Sequence, residues 1–402
     1  MKTIMITGAS SNTGKTTLSL GLARALKNRG LDISPFKTGP DFIDRKYLSA
    51  AAKKTAGNLD IHMMGKEGLQ ESLSMNLGEY ALIEGAMGYF DGIYNTYENS
   101  SFHISEELDI PAVLVYRPKG EMFSAIPKIK GIVDFSKGRI KAIIFNETSE
   151  RLYTMFKELV EKYLDIEILG YIPRDKELKI EERYLGLFQP EENKDLDKKL
   201  DAMANKMEET LDIDKFIRLF KDINVDEYKY PKKRDVKIAI AYDKAFNFYY
   251  EENLKLLDNI GKTIYFSPLK DKALPKADLL YIGGGYPELY KEKLANNKSM
   301  IKSIKEFGGN GGYIYGEGGG FMYLTDSIED SSMVGLIPGQ ANMTKRLQRF
   351  GYINIELEED CILGNTGDKV TGKEYHRSIV KTNEEEIYKI TKPKSERSWK
   401  CG

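Results

Sequence analysis

Near its start the chain runs from a short apolar segment, Thr3–Thr7, through a glycine-containing loop into an amphipathic stretch, Lys15–Arg29, that stops at Gly30. The loop reads Gly8-Ala-Ser-Ser-Asn-Thr-Gly-Lys-Thr-Thr17. This strand–loop–helix junction constrains the fold more than any other feature. A tight loop there turns its backbone N–H groups inward, and the helix behind it adds its positive end, so the junction holds an anion. In that setting Lys15 reaches the β- and γ-phosphates of a nucleotide, and the Thr16 hydroxyl ligates Mg²⁺. The first glycine of the usual spacing is displaced by one residue: Ala9 stands there and Gly8 precedes it. A turn that binds nothing is the plain alternative, and the strand and helix on either side argue against it.

The rest of the chain repeats the alternation. Candidate strands are Ile33–Lys37, Tyr80–Glu84, Ala112–Tyr116 and Ile140–Phe145, with a helical pattern at Glu150–Leu164. Such alternation predicts a mainly parallel sheet wrapped by helices. A charged helical region, Glu191–Asp222, follows, and then Asn224–Arg234, which is polar and carries a proline. The pattern restarts with a strand at Val236–Tyr242, a helix at Glu252–Asn259 and strands at Thr263–Phe266 and Asp278–Ile282, after which Gly283–Gly285 is expected to open another helix. With 402 residues the chain is too long for one ordinary domain. We expect a P-loop doubly wound domain over 1–223, a linker over 224–235 and a second α/β domain over 236–402.

Composition excludes several classes. Sixty Lys+Arg against 61 Asp+Glu argue against a globally basic nucleic-acid binder. The two cysteines cannot build a disulfide framework, which fits a reducing cytoplasm. No apolar stretch is long enough to cross a bilayer, and the opening strand leaves no room for a signal peptide before it. Three histidines make a multi-histidine metal centre unexpected.

Acidic residues gather where a phosphate site needs them. Phe36-Lys-Thr-Gly-Pro-Asp-Phe-Ile-Asp44 follows the second strand, and Ile83-Glu-Gly-Ala-Met-Gly-Tyr-Phe-Asp-Gly92 lies at the end of the third. Residues just past the carboxyl ends of parallel strands line the ligand crevice. Asp41 and Glu84 could therefore join Thr16 on one Mg²⁺, while Asp44 and Asp91, slightly further out, could contact a second substrate. The same acids could equally be solvated loop residues or helix caps.

These segments together resemble the cobyrinic acid a,c-diamide synthase family over nearly the whole chain. The resemblance rests on FKTGPDFIDR, IEGAMGYFDG, Leu169–Asp175, Glu182–Leu187, Asp243–Tyr250, Gly283–Leu289 and Met343–Leu347. It implies a dethiobiotin-synthetase-like ATPase domain followed by a class I glutamine amidotransferase-like (flavodoxin-like) domain. It also implies phosphorylation of a peripheral corrin carboxylate by ATP with Mg²⁺, then attack of ammonia on the acyl phosphate, first at the c and then at the a side chain. By motif match Gly14, Lys15, Thr16 and Thr17 would bind nucleotide and Asn146 would read the adenine. Asp41 and Glu84 would work with Mg²⁺ and the intermediate, and Asp44 and Asp91 would position the corrin or related tetrapyrrole acid. The resemblance implies no nucleic-acid or membrane partner.

The second domain departs from the family. A glutaminase needs a cysteine thiolate on a strained strand–helix turn, activated by a histidine. The turn here reads Tyr315-Gly-Glu-Gly-Gly-Gly-Phe-Met-Tyr-Leu324, with Gly318 in the nucleophile's position. The family continues beyond the Ser398–Gly402 segment into a strand carrying that histidine, so the expectation is a domain truncated at its C-terminus, whose open edge a homodimer could cover. Two smaller departures are Arg117, where the family usually has Asp, and Asn12 in place of a loop glycine. The reading that follows is an ATP-dependent amide ligase using ammonia in place of glutamine; the alternatives are a nucleotide-dependent corrin-binding protein that does not amidate, or an inactive copy.

Overall fold

The computed structural model describes residues 1–401 except 176, 177, 179, 181, 184, 185, 188, 189, 191, 192 and 194. Tyr184 and Leu185 of the Glu182–Leu187 motif therefore lie outside the described residues. The chain divides into two compact units, Met1–Tyr228 and Lys229–Gly402.

The first unit runs β1 (Lys2–Gly8), α1 (Lys15–Asn28), β2 (Ile33–Thr38), α2 (Asp44–Ala52), β3 (Gly57–Leu59), α3 (Ile61–Met75), β4 (Tyr80–Glu84), α4 (Ser101–Glu107), β5 (Ala112–Tyr116), α5 (Ala125–Phe135), β6 (Ile140–Asn146), α6 (Glu150–Tyr163) and β7 (Glu167–Ile172). Short strands β8 (Glu182–Arg183) and β9 (Gly186–Leu187), helices α7 (Leu196–Thr210) and α8 (Ile213–Arg218) and strand β10 (Lys221–Asp222) complete it. The main sheet has the order β3-β2-β4-β1-β5-β6-β7. Every pairing along that path is parallel. A parallel sheet is covered on both faces, so its strands read as continuous apolar runs. All five residues of β4 and all five of β5 are buried. One face carries Met5, Phe36, Ile83, Leu114, Ile143 and Phe145 into a core with Phe102 and Phe156.

The charged stretch Glu191–Asp222 is not helical throughout. Its last two residues are β10, which pairs antiparallel with Lys2–Thr3 of β1. A two-residue strand carries no periodicity that a sequence can show. Within the same stretch α7 presents Leu200, Met203, Ala204 and Met207, all buried. That is one face of a 3.6-residue period. It packs on α1 at Gly21, where a Cβ would stand 2.7 Å from Met207 Cε and 3.2 Å from the Met203 carbonyl oxygen. Buried Arg24 locks the same corner, donating to the carbonyls of Ala50 and Ala51 and to Asp197 and Asp201.

The second unit has a four-stranded parallel sheet ordered Lys262–Phe266, Lys237–Ala241, Leu279–Ile282, Tyr313–Gly316. Helices Glu251–Ile260, Lys298–Gly309 and Gly319–Leu324 accompany it, and two further four-stranded sheets follow. Gly283–Gly285 does not open a helix directly. Gly284–Gly285 pair as a short strand with Phe246–Phe248, and a 3₁₀ turn, Pro287–Tyr290, precedes the helix Lys291–Asn296. A glycine run has no side chains to satisfy a helix's face, and here it serves close packing instead: a Cβ at Gly285 would stand 2.0 Å from the Ala245 carbonyl oxygen. Among the described residues no helix is long and apolar enough to cross a membrane.

Two outcomes follow from this packing. Gly21→Val should lower the stability of the first unit by about 1–3 kcal/mol, because the added atoms overfill the α1–α7 contact; urea unfolding checks this, and an unchanged midpoint would contradict the packing. In the second unit, burial with help from Glu329 pushes the Glu288 carboxyl up to about 7. An unfolded glutamate titrates near about 4.3. The folded unit therefore binds the proton more tightly, and loses stability as pH rises from that value through 7. Glu288→Gln should raise the melting temperature at pH 8 and leave it nearly unchanged at pH 4; an equal shift at both would refute the assignment.

Candidate functional site: a phosphate loop and an acid–lysine cluster

β1 sits between β4 and β5, so the loops after β1, β2 and β4 lie side by side at one end of the sheet. The loop after β1 is shaped by its glycines. Gly14 caps α1 at φ 91°, and a Cβ there would stand 1.9 Å from Asn146 Nδ2. A Cβ at Gly8 would meet Thr13 Oγ1 at 2.3 Å. Asn12 holds φ 61°, a conformation that Asn tolerates better than most side chains. Asn146, at the end of β6, donates its Nδ2 to the Thr13 carbonyl at 2.7 Å and so braces the loop from behind. Lys15 Nζ reaches back to the Ser10 carbonyl at 3.0 Å. Burial, then Lys37, lowers its pKa to about 8.

Thr16 and Glu84 meet. The Thr16 hydroxyl donates to Glu84 Oε1 at 2.6 Å. The carboxylate is fully buried at the end of β4. Lys37, which the sequence reading left out of the site, donates to the same oxygen at 2.8 Å and lies 3.1 Å from Asp44 Oδ2. Burial pulls the Lys37 pKa down, but Glu84, Asp44 and Asp41 outweigh it and hold the ammonium charged. Asp44 is raised to about 7 by burial and by Asp41, against the pull of Lys37. The available signal was a lysine as the one charge in an otherwise uncharged strand, since a fully buried lysine is rare unless paired.

The other acids have local roles. Asp41 Oδ1 accepts the N–H groups of Ile43 and Asp44, both at 2.8 Å, and so organises the turn into α2. Asp91 Oδ2 accepts the Gly88 N–H at 2.9 Å. The β4 loop is pinned onto the phosphate loop, with Tyr89 N–H donating to the Gly8 carbonyl at 2.9 Å and Gly85 N–H to Ile6 at 2.8 Å. Thr38 Oγ1 accepts the Ala86 N–H at 2.7 Å and ties β2's end to the same loop.

A metal and a nucleotide both fit this arrangement. Glu84 Oε2 is buried and has no hydrogen-bond partner among the described residues, as expected of an oxygen that would take a cation. Among the described residues no cluster of three or more His, Cys, Asp or Glu could hold a metal alone. That suits Mg²⁺, which binds through one or two protein oxygens and relies on phosphates and water for the rest. The glycine cradle, with Gly14 and Gly88 unable to accept a Cβ without displacing neighbours, leaves the backbone open to phosphates.

The second unit keeps a strained turn. Gly318 caps the helix Gly319–Leu324 with φ 55° and ψ −112°. A Cβ at Gly318 would meet only Gly284 Cα, at 3.6 Å. At Gly320 a Cβ would stand 2.0 Å from the Ile282 carbonyl oxygen, so the turn is pressed against the strand Leu279–Ile282. Glu317 is held by the hydroxyls of Tyr281 at 2.8 Å and Tyr315 at 3.0 Å. Burial raises its pKa against those two bonds. Tyr249 is buried and accepts the Gly283 N–H at 2.8 Å, a core position. Both cysteines are free and partly buried, and burial pushes Cys401 up to about 11, which makes it unreactive.

Comparison with known proteins agrees with both halves. Residues 4–187 match the model of the CobQ/CobB/MinD/ParA nucleotide binding domain. Residues 237–400 match that of the CobB/CobQ-like glutamine amidotransferase domain. Cobyrinate a,c-diamide synthase of Clostridium tetani is 41% identical, covering 100% of this chain and 94% of its own length. That of Clostridium acetobutylicum is also 41% identical over 100% and 94%. That of Methanocaldococcus jannaschii is 42% identical over 97% and 90%. With two matching domains in the right order and full-length relatives at this identity, the chain belongs to the cobyrinate a,c-diamide synthase family.

Proposed function

We propose that the chain is an ATP-dependent ligase that converts the a and c side-chain carboxylates of cobyrinate, or a related tetrapyrrole acid, to amides, with free ammonia as its nitrogen donor. The observation that carries the first part is the convergence of Thr16, Glu84, Lys37 and Asp44 beside the phosphate loop. The observation that carries the second is Gly318, which has no side chain to form a thioester.

A carboxylate does not react with ammonia at neutral pH, so it needs a leaving group. Lys15 and Thr16, with the backbone of the loop, hold the triphosphate; Thr17, the third residue of α1, lies at the same edge. Asn146 presents Oδ1 to the adenine amino group while its Nδ2 holds the loop. Mg²⁺, when bound by Thr16 and Glu84 with Asp41 beside them, supplies charge neutralisation to the phosphates. Lys37 orients Glu84 and Asp44, and Asp44 and Asp91 line the mouth where the tetrapyrrole carboxylate enters. A carboxylate oxygen bonds to the γ-phosphorus as the bond to the bridging oxygen breaks and ADP departs. Ammonia then attacks the acyl carbon, phosphate leaves with the bonding pair, and the nitrogen sheds a proton. Positioning and charge neutralisation supply the rate.

Two experiments test this. Lys37→Ala removes the cation that holds both Glu84 and Asp44, and should lower ammonium-supported ADP formation by at least about 100-fold. Circular dichroism checks that the variant is folded, and a folded variant with wild-type turnover would end Lys37's role. With cobyrinic acid and ATP, ammonium should support amide formation, faster as pH raises the free-ammonia fraction, while glutamine gives no product by mass spectrometry. Amide formed from glutamine would overturn the donor assignment. Nucleotide binding with no ADP released under either donor would favour a binding protein that does not amidate.

A further inference from the structure

The phosphate loop is closed on its β5 side by three residues that the mechanism above does not use. Arg117 directly follows β5, Glu147 directly follows β6, and Asn12 lies in the loop. Arg117 Nη1 donates to the Asn12 carbonyl at 3.3 Å. Its Nη2 lies 2.5 Å from Glu147 Oε2. Asn12 and Glu147 both hold left-handed backbones, at φ 61° and 51°. Glu147, a residue type that seldom adopts a left-handed backbone, is thus held in a costly conformation beside the guanidinium, as functional positions often are.

The ion pair itself is a weak reason for it. Both side chains are partly exposed, at 32% and 23%, and such pairs contribute little to stability. A planar guanidinium bonds a phosphate through two parallel N–H groups more strongly than it bonds an exposed carboxylate. Other charges at the loop are already committed. Lys37 is matched by Glu84 and Asp44, and Ser10 and Ser11 bring no cation. Among the described residues, a triphosphate would therefore arrive at a loop whose uncommitted cations are Lys15 and, once released from Glu147, Arg117.

We propose that Arg117 is a catalytic residue that exchanges Glu147 for the terminal phosphate of the bound nucleotide and stabilises the charge that develops as that phosphate is transferred. This deepens the ligase reading and rests on the loop being a nucleotide site. In the step concerned, the substrate carboxylate oxygen bonds to the γ-phosphorus while the bond to the β–γ bridging oxygen breaks, and ADP leaves with the electron pair. Negative charge spreads over the equatorial and bridging oxygens, where an arginine supplied in cis acts. Glu147, its ion-pair partner, holds the guanidinium beside the loop.

The test compares wild type with Arg117→Ala, Arg117→Lys and Glu147→Ala. It measures binding of ADP alone, binding of ADP with tetrafluoroaluminate (which mimics the phosphoryl group in transfer), and ADP formation from ATP with cobyrinic acid and ammonium. Arg117→Ala should bind ADP within about 3-fold of wild type, lose at least about 10-fold in affinity for the tetrafluoroaluminate complex, and lose about 100-fold or more in kcat. Arg117→Lys should fall between. Glu147→Ala, which frees the guanidinium, should bind the tetrafluoroaluminate complex at least as tightly as wild type. If Arg117→Ala and Glu147→Ala weaken both complexes alike, the pair is only a brace and the proposal is wrong. An Arg117→Ala protein that binds the tetrafluoroaluminate complex like wild type would also overturn it. Failure of wild type to bind ADP would remove the nucleotide reading together with this one.

Discussion

The Glu84 carboxylate is the constraint around which the first unit is organised. It lies at the end of β4 with no exposure to solvent, and one of its oxygens takes both the Thr16 hydroxyl and the Lys37 ammonium. A buried charge without a partner costs several kcal/mol, roughly enough to threaten a domain of ordinary stability. Lys37 therefore has to stay charged and in place, and through it so does Asp44 at the start of α2. One carboxylate thus couples the ends of β2 and β4 to the first turn of α1. Groups fixed in this way by one another, within the protein itself, are of the kind that electrostatic catalysis uses without reorganisation.

Around that cluster the loops are held mainly through their backbone N–H groups. Tyr89 and Gly85 donate to the carbonyls of Gly8 and Ile6, and Thr38 accepts from Ala86. Such bonds leave side chains free to face the crevice. They also explain the double duty of Asp41 and Asp91, whose carboxylates each spend an oxygen on local N–H groups. A cap of this kind fixes where the acid points, so a helix-capping reading and a substrate-site reading of the same aspartate are compatible.

In the second unit a strained backbone turn is held with no side chain at its apex. The left-handed turn at Gly318 follows from what surrounds it: Gly320 against Ile282, Gly319 against Pro287, and Glu317 fixed by two tyrosines. Backbone shape is set by packing on both sides of the turn. Chemistry at that point would need an atom that glycine does not have. The two units thus differ in what they hold in place: the first gathers charged side chains at the ends of its parallel strands, and the second fixes a tight backbone turn with a glycine at its apex.

Much of this could be read from the chain alone. The five strands first identified and the phosphate loop were legible because a sheet buried on both faces leaves continuous apolar runs, and a left-handed helix cap demands glycine. That position 318 carries no side chain is plain from the sequence, while the packing that holds its turn is not. Other features depend on distances that no local pattern encodes. The β3 and β10 strands are two or three residues long and exist through their partners. Lys37 looks like a stray charge until β4 brings Glu84 to 2.8 Å, Asn146 is a strand end until it reaches the loop of β1, and Arg117 meets Glu147 only because β5 and β6 are neighbours. Residue types and their periodicity decide which elements form and what chemistry they can carry; which charges come to share one oxygen is settled by strand order, since only the closed sheet places residues far apart in the chain within a hydrogen bond of each other.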